Sequence, residues 1–178
     1  AQAARLRKAF RGDAAFRLVI VAQKHNGDWG KLLETARRTL RQQENRATWS
    51  KPEGIFFSAA QPGKVGMLFP GQGSQYVGML RDLACQFPEL LEALDSANST
   101  FGAEASGERL SDLIYPIPVF AEAARAAHEA RLAQTEIAQP ALGAVSVGAW
   151  RVLERFGVGV DAVGGHSFGE LVAMCAGG

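Results

Sequence analysis

Cysteine is scarce. Cys85 and Cys175 are the only two in 178 residues, and neither sits in a CxxC pair or near a pair of histidines. That pattern argues against a disulfide or metal role, and both are expected to be buried as small apolar side chains. A surplus of one charge is also missing. Lys and Arg number 19 against 18 Asp and Glu, a net charge of +1, so no electrostatic footprint for nucleic acid or for an anionic membrane exists. No apolar run approaches the ~18 residues of a membrane span. There is no internal repeat and no low-complexity tract. The start, "AQAARLRKAFRGDAAF", lacks an initiator Met and the apolar centre of a signal peptide, and "MCAGG" stops inside a helix just begun. Both ends are expected to be cuts in a longer polypeptide. The cysteine usage fits a reducing cytoplasm, which is the expected location.

What is present is a chain able to bury a core, with 47% hydrophobic and 21% charged residues. "FRLVIVA" (residues 16–22) is short, apolar and β-branched, and reads as a buried strand. "HNGD" makes a turn, with Asp28 as the N-cap of a helix that places Trp29, Leu32, Leu33, Ala36 and Leu40 on one face. "GIFFSAA" (54–60) reads as a second strand, and "QPGK" as a loop. Residues 1–61 are thus expected to form a small α/β unit, and residues 62–178 a second one. The second opens with "KVGMLFP" (64–70), a buried strand. Two helices follow, the later starting at Pro88. "ASGERLSDLIYPIPVF" reads as irregular because Pro116 and Pro118 break long elements. "AEAARAAHEARL" is helical by propensity. "PALGAVSVGAWRVLERFG" is a core helix with Leu142, Val145, Ala149, Val152, Leu153 and Phe156 on one face, closed by Gly157. "VGVDAVGG" is a strand, and "FGELVAMCAGG" begins a helix.

The chemistry concentrates at the junction of that last strand and helix. Gly165-His166-Ser167-Phe168-Gly169 fits G-x-S-x-G, the strained strand-to-helix turn that exposes a serine hydroxyl at a sheet edge. It also places Ser167 at a helix N-terminus, where free N–H groups favour developing negative charge. The bland alternative is a glycine-rich turn with an incidental serine. A second loop, "FPGQGSQ" (69–75), follows another buried strand. It is not a Walker A loop, since no Gly-Lys-Ser/Thr follows. It is not a dinucleotide fingerprint, since Tyr76 stands where the third glycine belongs. Acyl transfer needs two backbone donors aimed at one oxyanion. The residue after the nucleophile, Phe168, offers one, and this loop is a candidate for the other.

"LFPGQGSQYVGM", "TEIAQPALGA" and "GGHSFGE", in this order, resemble the N-terminal half of the malonyl-type acyltransferase domain of fatty-acid and polyketide synthases. The resemblance covers about residues 64–178. Phe168 in "GHSFGEL", with "IYPIPVF" upstream, is most similar to acyltransferases of polyunsaturated-fatty-acid synthases. Residues 1–61 resemble the small α/β linker between ketosynthase and acyltransferase. The fold implied is α/β: an α/β-hydrolase-like acyltransferase core, incomplete and without its ferredoxin-like subdomain, behind a small α/β linker unit. The reaction implied moves a malonyl-type acyl group from coenzyme A, through an acyl-ester on Ser167, to the phosphopantetheine thiol of an acyl carrier protein. No permanently bound cofactor and no metal is implied; the coenzyme A thioester is the substrate. By the same resemblance the amides of Gln72 and Phe168 form the oxyanion hole, Gln139 lines the site, and His166 orients the turn or lines the pocket. The partners implied are the acyl carrier protein, malonyl-CoA and the ketosynthase domain of the same polypeptide.

A serine needs a base. The chain holds three histidines. His25 lies in the first unit, and His128 sits among alanines on a surface helix. His166 neighbours Ser167 and points to the opposite face of an extended strand. In the resembled family the base is a histidine far downstream, and a downstream arginine pairs with the substrate carboxylate. Both are expected beyond Gly178, which would leave residues 1–178 catalytically silent alone. Two other classes stay open: a serine hydrolase or thioesterase built on the same elbow, and a non-catalytic structural linker fragment. A carrier-protein reading of Asp95-Ser96 fails for want of a following leucine.

Overall fold

In the computed structural model the described residues are all except 1–4, 7, 24–26, 44–45 and 105–106. They form two compact units, Ala1–Gly63 and Lys64–Gly178. His25 and part of the expected "HNGD" turn lie outside the described residues.

The first unit is a three-stranded antiparallel sheet with a helix on one face. Its strands are β1 (Arg17–Ile20), β2 (Thr48–Lys51) and β3 (Ile55–Ser58), in the order β1-β3-β2. Helix α1 (Trp29–Gln42) starts where Asp28 accepts a hydrogen bond from the Lys31 amide at 3.0 Å. The pleat sends alternate residues to opposite faces. Leu18, Phe57 and Trp49 lie side by side in register, and the Trp49 and Phe57 rings stack at 5.3 Å. Ala36 of α1 closes this small core with Trp49 and Ile55. The other face carries Val19 opposite Phe56, both about half exposed. "FRLVIVA" is therefore not the buried strand its apolar run suggests. It is an edge strand of a sheet covered on one side, and Phe16, Val19 and Val21 are exposed. Strand β2 escapes a sequence reading because "TWSK" is too polar and short to stand out. Trp29 and Leu33, expected on the inner helix face, are also exposed; Ala36, Leu32 and Leu40 carry the packing.

The second unit is built on a helix pair. Its helices are α2 (Arg81–Ala84), α3 (Pro88–Glu104), α4 (Leu110–Ile114), α5 (Glu122–Leu132), α6 (Thr135–Arg155) and α7 (Gly169–Gly177). Strands β4 (Gly66–Phe69) and β5 (Ala162–Gly165) pair in parallel, with Phe69 opposite Gly165. Helix α6 buries Ile137, Ala138, Ala141, Leu142, Ala144, Val145, Gly148 and Val152, a stripe at helical spacing. Leu90 of α3, fully buried, presses on Gly148; a Cβ there would lie 2.9 Å from the Leu90 Cα. An ion pair between Arg155 and Glu89 at 2.9 Å ties the exposed end of the same two helices.

Helix α6 begins five residues before Pro140, the start that its sequence suggests. Proline inside a helix removes a backbone bond. Here the amides of Ile137 and Ala138 anchor on the Gln134 carbonyl, and burial of Ile137, Ala138 and Ala141 holds the first turns in place. Phe156 does not join the core: it is 65% exposed and meets Phe87 edge-on. The segment expected to be irregular contains the short helix α4, because Asn98 supplies the cap its sequence lacks. The Asn98 carbonyl oxygen accepts from the Ser111 amide at 2.9 Å, and its amide donates to the Ser111 hydroxyl at 3.0 Å. Both cysteines are exposed, not buried. Cys85 follows the last residue of α2, and Cys175 falls beside the α7 face that buries Gly169, Val172 and Ala173. Among the described residues no helix is long and apolar enough to cross a membrane.

Truncating a fully buried leucine costs about 2–5 kcal/mol. Leu90→Ala should therefore shift the urea transition of the second unit by that amount. A loss under about 1 kcal/mol would mean that the α3–α6 contact is not its core.

Candidate active site

Strand β5 reaches α7 through three residues, His166, Ser167 and Phe168. Ser167 holds φ at 53°, in the left-handed region that a side chain occupies at a cost of about 1–3 kcal/mol. Neighbouring glycines make the bend possible. A Cβ on Gly165 would run into the backbone carbonyl of Gly169, and a Cβ on Gly169 into the carbonyls of Phe69 and Pro70. Strand, turn and helix thus approach to a distance that leaves no room for any side chain. The turn is tightened by three i→i−3 bonds. The amides of Gly169, Glu170 and Leu171 donate to the carbonyls of His166, Ser167 and Phe168 at 2.9, 3.0 and 3.1 Å. Those bonds use the free donors that a helix start normally leaves. Among the described residues the Phe168 amide has no such partner.

The "PGQGS" loop lies directly on this turn. The His166 amide donates to the Phe69 carbonyl at 3.1 Å, extending the β4–β5 pairing into the loop. Gly71 is buried, and a Cβ on it would stand 3.0 Å from the Ser167 Cβ and 3.1 Å from the His166 Nδ1. The loop braces itself: Ser74 Oγ donates to the Gly71 carbonyl at 2.6 Å, and the Gly73 amide to Gln75 Oε1 at 2.7 Å. Between them the Gln72 amide has no partner among the described residues.

Helix α6 holds both pieces. Thr135, Gln139 and Gly143 recur every four residues and so share one face. The Gln72 side-chain amide donates to Thr135 Oγ1 at 3.0 Å, and its oxygen accepts from Gln139 Nε2 at 3.4 Å. One turn on, Gly143 receives the Phe168 ring, whose Cε1 would lie 3.2 Å from a Cβ at that position. Further along, Val147 and Trp150 pack with Phe69, Val172 and Phe168.

Of the residues singled out in sequence, His166, Ser167 and Phe168 share one turn, while Gln72 and Gln139 meet through their side chains beside it. Ser167, His166 and Gln72 are exposed; Phe168 and Gln139 are half-buried. Among the described residues no side chain hydrogen-bonds the Ser167 hydroxyl, and His128, half-buried on α5, is not joined to it. No group of three potential metal ligands occurs among them either. A concavity of about 400 Å³ lined by Phe16, Leu18, Leu40 and Phe57 belongs to the first unit and holds none of these residues. Thr135 and Gly143 escape a sequence reading. The four-residue spacing of Thr135, Gln139 and Gly143 is the available signal, and Pro140 hides it by suggesting a later helix start. What the arrangement offers chemically is an exposed hydroxyl on a rigid bend, with two amides, unpaired among the described residues, on the segments that meet there.

Gly165→Ala should cost about 2 kcal/mol or more in thermal or urea unfolding, because the obstacle is backbone that cannot swing aside. Gly66→Ala, with nothing within 4 Å of its would-be Cβ, should be neutral or stabilising. Equal tolerance of both changes would contradict the close approach described.

A family model described as the acyl transferase domain matches residues 67–178. A polyunsaturated fatty acid synthase polypeptide from a Thraustochytrium species is 32% identical over 141 residues, which are 75% of this chain and 5% of that protein. The chain therefore spans about a twentieth of the length of this curated relative. The acyltransferase domain from the second module of the salinomycin polyketide synthase matches at TM-score 0.65 and 28% identity, over 99% of this chain and 40% of its own. A type II polyketide synthase acyl-carrier protein in complex with its malonyl-transacylase provides a further match, at TM-score 0.52 and 36% identity over 64% of this chain and 32% of that one. The fold is accordingly that of these acyltransferase domains. The chain belongs to the acyl transferase domain family, alongside domains of polyketide and polyunsaturated-fatty-acid synthases.

Proposed function

We propose that Ser167 is the acyl-carrying nucleophile of a transferase that moves a malonyl-type group from coenzyme A to an acyl carrier protein. The observation that carries this reading is the φ of 53° at Ser167, on a bend packed against Gly71. Backbone strain at an exposed serine is costly and persists only where the surroundings impose it. In the first half-reaction Ser167 Oγ attacks the thioester carbonyl and gives up its proton to a base. The carbonyl oxygen becomes an oxyanion facing the amides of Gln72 and Phe168. The C–S bond breaks, and coenzyme A leaves as a thiol carrying the returned proton. In the second half-reaction the phosphopantetheine thiol attacks the acyl-ester, its proton passes through the same base, and Ser167 is released. His166 and Gln139 border the site, His166 by fixing the turn and Gln139 by holding Gln72.

The malonyl-type assignment and the carrier-protein partner draw on the malonyl-transacylase complex, and the synthase setting on the polyunsaturated-fatty-acid synthase match. The first unit is proposed to be the linker that joins a ketosynthase domain to this one. The salinomycin synthase acyltransferase match extends over 99% of the chain, so the structure of an acyltransferase domain there also carries a counterpart of the first unit. A cytoplasmic setting completes the proposal. The base and the carboxylate-binding arginine are proposed to belong to the longer domain seen in the relatives and not to residues 1–178, a proposal supported by the match to the malonyl-transacylase complex, of which this chain covers 32%. Residues 1–178 alone should then gain no acyl mass on incubation with malonyl-CoA; rapid gain seen by intact-protein mass would place the base within this chain.

In the complete synthase, Ser167→Ala should lower acyl transfer to carrier protein by about 10³-fold or more. Product should form by a ping-pong pattern, with loaded carrier protein exceeding free malonate. Dominant release of free acid would favour a hydrolase, and unchanged product formation in Ser167→Ala would leave only the structural role.

A further inference from the structure

Thr135 lies on the first turn of α6, and its hydroxyl meets the Gln72 side chain rather than the serine turn. We infer that it is a positioning residue, which sets the Gln72 amide by pinning the Gln72 side chain. This rests on the acyl-serine reading above and adds to it the device that holds one of its two donors in place.

A glutamine side chain ends in a donor and an acceptor, and it is costly to immobilise by one bond alone. Gln72 is exposed, so nothing apolar confines it. What it meets is one helical turn bearing a hydroxyl at position 135 and an amide at position 139, side by side at i and i+4. The hydroxyl accepts from Gln72 Nε2 at 3.0 Å, and Gln139 Nε2 donates to Gln72 Oε1 at 3.4 Å. The shorter bond is the one to Thr135. The loop on either side is fixed by other means. Gly71 is wedged against His166 and Ser167, and Gly73 is held by Gln75. Rotation of the Gly71–Gln72 peptide is the motion that, in the acyl-serine reading, would turn the Gln72 amide from the oxyanion. Clamping the side chain of the same residue opposes it. Helix α6 also packs Gly143 against the Phe168 ring, so a single rigid helix registers both candidate donors, through positions 135 and 143.

The test uses the complete synthase and single-turnover self-acylation by malonyl-CoA. Thr135→Val keeps the branched shape and removes the hydroxyl. It should slow acylation about tenfold to a hundredfold, with the half-saturating malonyl-CoA concentration unchanged, since small misplacements of catalytic groups act on the chemical step. Thr135→Ser restores the hydroxyl and should return the rate to within about threefold of the parent. Thr135→Val added to Gln72→Ala should cost nothing further, because both remove one clamp. A merely structural role would lower the melting temperature, fail to be rescued by serine, and add to Gln72→Ala; any of these overturns the inference, as does a normal rate in Thr135→Val. Ser167→Ala is run alongside. If it still acylates, the acyl-serine reading is what fails; if it is dead while Thr135→Val is normal, only the role of Thr135 falls.

Discussion

The serine turn of the second unit depends on a contact without side chains. At the end of β5 the backbone of Gly165 meets that of Gly169, and Gly169 in turn meets the carbonyls of Phe69 and Pro70. Strand β4 and the junction of β5 with α7, nearly a hundred residues apart in sequence, converge where only glycine fits. Everything proposed about chemistry follows from that closeness. It forces Ser167 into the left-handed region, lifts its hydroxyl to the surface, and seats the Gly71 loop against it. The tight i→i−3 bonds of the turn then occupy the amides of Gly169, Glu170 and Leu171 and leave that of Phe168. A looser turn would have spread those donors along the helix start and offered an anion no single focus.

Helix α6 is the second constraint. One of its faces is spent on the core, where Gly148 lets Leu90 approach and a stripe from Ile137 to Val152 is buried. Another, at Thr135, Gln139 and Gly143, meets the Gln72 side chain and the Phe168 ring. Core packing and site geometry therefore share one rigid element. Anything that displaces α3 against α6 would be felt at the serine turn through this helix. Tyr115, beyond α4, belongs to the same packing. Its hydroxyl donates to the Met79 carbonyl at 3.0 Å, and partial burial raises its pKa.

Local chemistry is legible in the sequence where it acts locally. The Asp28 cap, the Pro88 helix start and the strand-turn-helix around residues 162–177 are each set by residue types within a few positions. Burial is less legible because it depends on what lies across the sheet. "FRLVIVA" and Phe156 are apolar, yet they sit at an edge or on the outer side of a helix. Pro140 misleads in the opposite direction: its local preference is to start a helix, and burial of Ile137 and Ala138 overrides it. The same preference hides Thr135. The short helix α4 depends on Asn98, thirteen residues upstream, a cap that local pattern does not contain. For the site, the motif points to the turn, but the wedge of Gly71 and the clamp on Gln72 arise only from long-range contact.

The central claim is that the hydroxyl at position 167 carries the acyl group between donor and acceptor. The most direct measurement is peptide mapping by mass spectrometry of the complete synthase quenched in acid after brief exposure to malonyl-CoA without carrier protein. The account predicts a malonyl adduct confined to Ser167 that disappears when carrier protein is added. An adduct on another residue, or none on Ser167 in protein that still loads its carrier, would contradict it.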